Sequence, residues 1–167
     1  MSDFINDDDS VAPVLSVAKD GTQTWIRDGV FHREGGPAII RPNGDEEWWV
    51  NGKRHREDGP AVTRLPRDGD PGVELWFFND VIHRVGGPAV VYSDGYREWI
   101  QNGDIHREDG PAIEGGHYGY EAWFSHGKLH RDGAPAVFYK GNYEWWQNGQ
   151  KLPQVDLADA QPSGVRL

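Results

Sequence analysis

The chain has no cysteine, so neither a disulfide framework nor a thiolate metal site is open to it. No apolar run approaches the ~20 residues needed to cross a bilayer as a helix. The opening stretch MSDFINDDDS has neither the basic region nor the apolar core of a secretory signal. A soluble protein of the cytoplasm is the expectation, and no membrane span is expected. Serine is sparse and never sits in a Gly-x-Ser-x-Gly elbow, and no phosphate-binding glycine loop is present. Basic residues are also short: 17 Lys and Arg stand against 27 Asp and Glu, for a net charge of −10. Such a surface repels phosphate backbones, so direct nucleic-acid binding is not expected. Asp7, Asp8 and Asp9 are read as part of a solvated acidic tail over residues 1–12.

What the chain has in abundance is repetition. The phrase Trp-x-x-(Asn/Asp)-Gly-x-x-His-Arg-x-x-Gly-Pro-Ala recurs with small variations at a spacing of about 23 residues. Its lead residues are Trp25, Trp48, Trp76, Trp99 and Trp123, and its histidines are His32, His55, His83, His106 and His130. Each histidine is followed by an arginine: Arg33, Arg56, Arg84, Arg107 and Arg131. A truncated sixth copy starts at Trp145, where Leu152-Pro153 replaces His-Arg and reads as a cap, because proline cannot continue a central strand. Units this small cannot bury an apolar face alone, so they must stack.

Within one copy the pattern is all β. Ala89–Tyr92 is β-branched and aromatic, Ser93-Asp94-Gly95 turns the chain, and Tyr96–Ile100 is a second strand. Asn102-Gly103 is a strong hairpin signal, because a type I′ turn needs positive φ at both central residues. Positions equidistant from a two-residue turn face each other. Trp99 then pairs with His106, Ile100 with Ile105 and Glu98 with Arg107; Trp48 pairs with His55, and Glu47 with Arg56. Trp76 likewise faces His83, Phe77 faces Ile82, Trp123 faces His130 and Phe124 faces Leu129. The expected fold is an elongated antiparallel hairpin array of roughly 11–13 strands. It is taken to be a single-layer twisted sheet of about five and a half repeats over residues 13–153, with a flexible tail at 154–167. The copy containing Leu65–Gly72 is longer and should bulge as a loop.

The period and the aromatic hairpins resemble MORN repeats. The Asn51–Ala61 phrase, NGKRHREDGPA, is more similar still to the MORN-variant arrays found in phage, giant-virus and some bacterial proteins. The resemblance implies an elongated antiparallel sheet with a groove that serves as a scaffold or binding surface, and no catalytic residues. It also makes a phage or viral factor acting on a host protein, in the host cytoplasm, an expectation.

The Trp25/His32, Trp48/His55, Trp76/His83, Trp99/His106 and Trp123/His130 pairs are read as a structural ladder, with His packed on Trp and Arg paired to Glu. No metal is expected on them. Equivalent residues stand ~10 Å apart along such a sheet, whereas zinc needs its ligands within ~2.0–2.3 Å of one ion. The recurring glutamates follow from duplication, so neither an enzyme nor a cofactor is expected, and a paired-carboxylate hydrolase is the weaker alternative.

Aromatics and arginines dominate protein interfaces, which makes a protein partner the leading reading. A nucleotide or sugar held by the same residues is the alternative small ligand. Arg33, Arg84 and Arg131 face Thr24, Leu75 and Ala122 in the hairpin arithmetic and lack a charge partner there. They are candidate partner-binding residues, together with Trp49 and Trp146.

Overall fold

The structure is a computed structural model and describes residues 11–153. The expectations for the two tails therefore fall mostly on residues outside that range. Each copy contributes two strands to one open antiparallel sheet of thirteen strands. Its path runs Val14–Val17, Gln23–Arg27, Ile39–Ile40, Glu46–Glu47, Val62–Arg64 and Val73–Leu75. It continues through Val90–Tyr92, Tyr96–Glu98, Ile113–Gly115, Glu121–Ala122, Val137–Tyr139 and Asn142–Glu144, with Val30–Phe31 pairing beside Gln23–Arg27. No α-helix occurs among the described residues; one 3-10 turn spans Gly116–Tyr118. Among the described residues no helix is long and apolar enough to cross a membrane. The expected all-β hairpin array is what forms.

A second row of short hairpins accompanies the long sheet. They are Trp49–Val50 with Lys53–Arg54, Phe77–Phe78 with Val81–Ile82, Ile100–Gln101 with Asp104–Ile105, Phe124–Ser125 with Lys128–Leu129, and Trp146–Gln147 with Gln150–Lys151. Each turns through two residues with positive φ, such as Asn102 at 52° and Gly103 at 85°, as a type I′ turn requires. The turn of the third copy is Asn79-Asp80, at 51° and 64°, so two side chains accept a conformation that glycine adopts more readily.

The lead tryptophan is where the two rows divide. The N–H of Trp99 donates to Ala112 in the long sheet at 2.8 Å, while its carbonyl accepts from His106 in the hairpin at 3.0 Å. Trp25, Trp48, Trp76 and Trp123 split their bonds in the same way. The alanine that accepts (Ala38, Ala61, Ala89, Ala112 or Ala136) is completely buried in every copy. The core lies between the rows: Val73, Ala89 and Val90 of the sheet pack with Ile100 of a hairpin, flanked by Leu75, Ile82, Tyr92 and Ile105.

One line of side chains crosses the whole sheet as successive cross-strand partners. It runs Thr24, Ile39, Glu47, Val62, Leu75, Val90, Glu98, Ile113, Ala122, Val137, Glu144. The residue before each lead Trp alternates along it with the residue after each buried Ala. Register is fixed, because a one-residue slip would turn this line to the other face.

The longer copy does bulge at Leu65–Gly72, and the bulge is anchored. Arg67 and Asp70 exchange two backbone bonds of 2.9 Å. The buried Asp45 carboxylate accepts the Leu65 N–H at 3.0 Å and a bond from the Arg67 guanidinium. Burial works against ionisation of Asp45, but the Leu65 N–H and Arg67 outweigh it and hold the carboxyl below its ordinary value.

Both ends depart from the interior pattern. Leu152 donates to the Trp145 carbonyl at 2.8 Å, as the histidines do, but Leu has no ring nitrogen and Pro153 no N–H to link a further hairpin. At the other end Val14 pairs with Ile26, the position whose carbonyl in interior copies accepts the preceding arginine N–H.

Candidate functional site

The hairpin register holds from Trp inward to the turn. Ile100 pairs with Ile105, Phe77 with Ile82 and Phe124 with Leu129, and each histidine donates its N–H to its expected tryptophan at 3.0–3.1 Å. Beyond Trp it fails. Glu98 lies between Val90 and Ile113, and Glu47 between Ile39 and Val62, so neither opposes Arg107 or Arg56. The division at tryptophan is the reason: the glutamate stays in the long sheet while the arginine follows the hairpin. Its N–H bonds the next copy instead, Arg56 to Phe77 and Arg107 to Phe124, at 3.2 and 3.4 Å.

The expected partners within the ladder are also exchanged. Arginine, not histidine, covers the tryptophan. The guanidinium carbons of Arg33, Arg56, Arg84, Arg107 and Arg131 lie 3.7–4.0 Å from the ring centres of Trp25, Trp48, Trp76, Trp99 and Trp123. Each also donates to the carbonyl of its own copy's proline, at 2.9–3.3 Å. The histidine instead staples one copy to the next. Nδ1 of His32, His55, His83, His106 and His130 accepts the backbone N–H of Asn51, Asn79, Asn102, His126 and Asn148, at 3.0–3.3 Å. Accepting a hydrogen bond at Nδ1 places the hydrogen of the neutral ring on Nε2. With one nitrogen of every ring committed to the backbone, these histidines are poor candidates for a shared metal. Among the described residues no group of three or more His, Asp or Glu could hold an ion.

All eight tryptophans are partly buried. Trp49 packs on Phe31 with ring centres 5.6 Å apart and donates its indole N–H to Glu47 at 3.1 Å. Trp146 donates to Glu144 at 2.8 Å. Both proposed contact residues thus reach from the hairpin row to the long sheet, and their indole donors are spoken for.

Arg33, Arg84 and Arg131 do lack a carboxylate partner among the described residues, although not for the reason expected. Arg56 and Arg107 are paired two residues onward, with Asp58 and Asp109, each at 2.8 Å, and Arg107 reaches Glu114 at 2.9 Å as well. These arginines hold the Asp58 and Asp109 carboxyls below their ordinary values. Where the other three have that position it is Gly35, Gly86 or Gly133, at φ 70–78°.

The third copy differs most. The residue after the His-Arg pair is acidic in four copies and lies near the histidine Nε2: Glu34, Glu57, Glu108 and Asp132, at 3.6–3.9 Å. In the third it is Val85, 74% exposed. Phe78 and Val81 on the same hairpin are also exposed, at 47% and 43%, and the Phe78 ring lies 4.7 Å from that of His55 and 6.3 Å from that of His83. A groove of about 370 Å³ runs between copies two and three and touches Trp76, Phe78, His83, Arg84 and Val85. Here alone, among the described residues, the His Nε2 and the Arg guanidinium both lack an ion-pair partner; Phe78 and Val85 form one side of the groove, and Arg56, Glu57 and Asp58 of the second copy form the other. Sequence reasoning singled out Arg84 but missed Phe78, Val81 and Val85. Aligning the copies against one another shows them, since Val85 breaks a column of acids.

Neither family models nor curated proteins give a match to this chain.

Proposed function

We propose that the chain is a non-enzymatic interaction module of MORN-like type, and that it docks a protein partner on the third copy. The observation that carries this reading is the conversion of one ladder position from acid to valine at Val85. It leaves the Arg84 guanidinium and the His83 Nε2 without a carboxylate partner among the described residues, beside exposed Phe78 and Val81. Aromatic, aliphatic and arginine side chains converging on a groove are the usual anchors of a protein interface. The partner's matching surface presents an apolar side chain to Phe78, Val81 and Val85 and an acceptor, best a carboxylate, to Arg84. The architecture suits the task, because the arginine stacks and histidine staples recur in every copy, the third included, and fix the walls of that groove. If the chain is a phage or viral factor, the partner is a host protein of the same compartment.

Nucleotide stacking is less well supported, because one face of every lead indole from Trp25 to Trp123 is already covered by arginine. The test is quantitative co-purification from native cells with wild-type protein and with Val85→Glu, which restores the acid of the other copies. A partner retained by wild type and lost from Val85→Glu at unchanged melting temperature supports the reading. Equal retention contradicts it. A thermal-shift screen with nucleotides and sugars checks the small-ligand alternative.

A further inference from the structure

The line of cross-strand partners along the sheet contains three glutamates, each immediately before a lead tryptophan: Glu47, Glu98 and Glu144. Two are neutralised by the chain itself. Glu47 takes Arg41 at 2.6 Å and the Trp49 indole N–H at 3.1 Å. Glu144 takes Lys151 at 2.6 Å and the Trp146 indole N–H at 2.8 Å. Glu98 takes only the Tyr96 hydroxyl, at 2.5 Å, and has no cation among the described residues.

The difference is written in the aligned copies. The position of Arg41 is Tyr92 in the copy of Glu98, the position of Lys151 is Ile105, and the position of Trp49 and Trp146 is Ile100. Both residues that supply a cation elsewhere have been replaced by uncharged ones.

Space stands where the cation would be. Glu98 opens on a groove of about 520 Å³ walled by Tyr92, Tyr96 and Tyr118, with Leu75, Ile82 and Val90 on its apolar floor. The Tyr92 and Tyr96 rings meet edge to face, with centres 5.7 Å apart. Asp94, at the same mouth, spends one oxygen on the Tyr96 N–H and has no basic partner among the described residues. A carboxylate framed by tyrosine rings and an aliphatic floor is suited to a positive charge carried on an alkyl stem. The net charge of −10 also raises the local concentration of cations.

We propose that the groove of Tyr92, Tyr96, Tyr118 and Glu98 binds an organic cation, an alkylammonium or guanidinium head on an aliphatic stem. The head completes the pair that Arg41 and Lys151 complete for Glu47 and Glu144. The stem lies along Leu75 and Val90, and the exposed Tyr118 ring closes over it. The site is separate from the Val85 groove, so it stands or falls independently of the protein-docking reading.

The experiment is a titration of the full chain, followed by heteronuclear NMR. The probes are Nα-acetyl-lysine methylamide, Nα-acetyl-arginine methylamide, choline and the neutral Nα-acetyl-norleucine methylamide. A cation should shift the resonances of Tyr96, Glu98 and Tyr118 saturably, and norleucine should not. Response to the amino-acid amides alone identifies the occupant as a protein side chain, and response to choline alone identifies a free quaternary amine; either supports the site. Glu98→Gln should weaken binding about tenfold or more, and Tyr118→Ala, an exposed position that the fold does not need, about threefold. Glu144→Gln should leave it unchanged. The proposal is overturned if no cation produces saturable shifts by ~10 mM, if norleucine binds as well, or if Glu98→Gln or Tyr118→Ala binds like wild type.

Discussion

Nδ1 of His83 accepts the backbone N–H of Asn102 at 3.0 Å, and through that bond the third copy is tied to the fourth. The same bond recurs at every interior junction, so the histidine column is the seam of the array rather than a row of ligands. Each staple satisfies an N–H at the start of a tight turn that would otherwise face the neighbouring copy unpaired.

The seam should not be uniform in strength. His32 is almost fully buried and also receives a 3.0 Å contact from Arg27, whereas His83 is only partly buried. His32→Ala is expected to cost about 2–3 kcal/mol, combining a cavity with an orphaned donor, and His83→Ala about 1 kcal/mol. Chemical denaturation of the two variants measures the difference; equal losses would show that the staple, not burial, sets the cost.

The arginine stacks give a second comparison. Removing any of the five loses a cation–π contact of about 0.5–1 kcal/mol and a hydrogen bond to proline of about 1 kcal/mol. Arg107→Ala should lose more than Arg84→Ala in dilute buffer, because Arg107 also holds Asp109 and Glu114. Asp109 is exposed while Arg107 and Glu114 are partly buried, so the pairs are worth about 1 kcal/mol, and raising the salt should narrow the gap chiefly through Asp109. Melting curves at two ionic strengths check it.

The Asp45 anchor predicts acid sensitivity of the Leu65–Gly72 bulge. Its folded-state pKa is depressed, so its contribution is complete above the unfolded value of about 3.9 and is lost as pH falls through the lower folded value. Asp45→Asn should cost about 1–3 kcal/mol at neutral pH and flatten the fall in stability below about pH 4. A wild-type profile already flat there would contradict the assignment.

Metal binding offers a fourth check. With Nδ1 of each ladder histidine committed to a backbone N–H, native mass spectrometry should show no stoichiometric zinc. Zinc bound to wild type and lost from His106→Ala would show that the staple opens to make a site.

The parts of the fold legible in the sequence are those fixed by local geometry. Asn-Gly turns fix the hairpins, and from them follow the Trp–His and Ile100–Ile105 pairings. The Glu98–Arg107 pairing was misread because the same arithmetic was carried past Trp99, where the backbone bonds of one residue divide between two sheets. That division depends on Ala112, which lies beyond the hairpin at the end of the repeat phrase, and nothing inside the hairpin announces it. The histidine staples likewise join residues 18–24 positions apart, beyond the reach of periodicity. The unpaired state of Arg33, Arg84 and Arg131 was legible, but its cause lies at Gly35, Gly86 and Gly133 rather than across a strand. What sets the third copy apart was present all along as Val85 in a column of acids. It becomes visible only when the copies are compared for their differences instead of their likeness.

The central claim, that the third copy is the docking surface, is tested most directly by photocrosslinking. A benzoyl-phenylalanine placed in turn at Val85 and at the equivalent Glu34, Glu57, Glu108 and Asp132 probes five chemically matched sites on one scaffold. The account predicts one discrete crosslinked protein from position 85, abolished by Arg84→Ala, and none from the other four. Crosslinking of equal yield from all five positions, or from none, would contradict it.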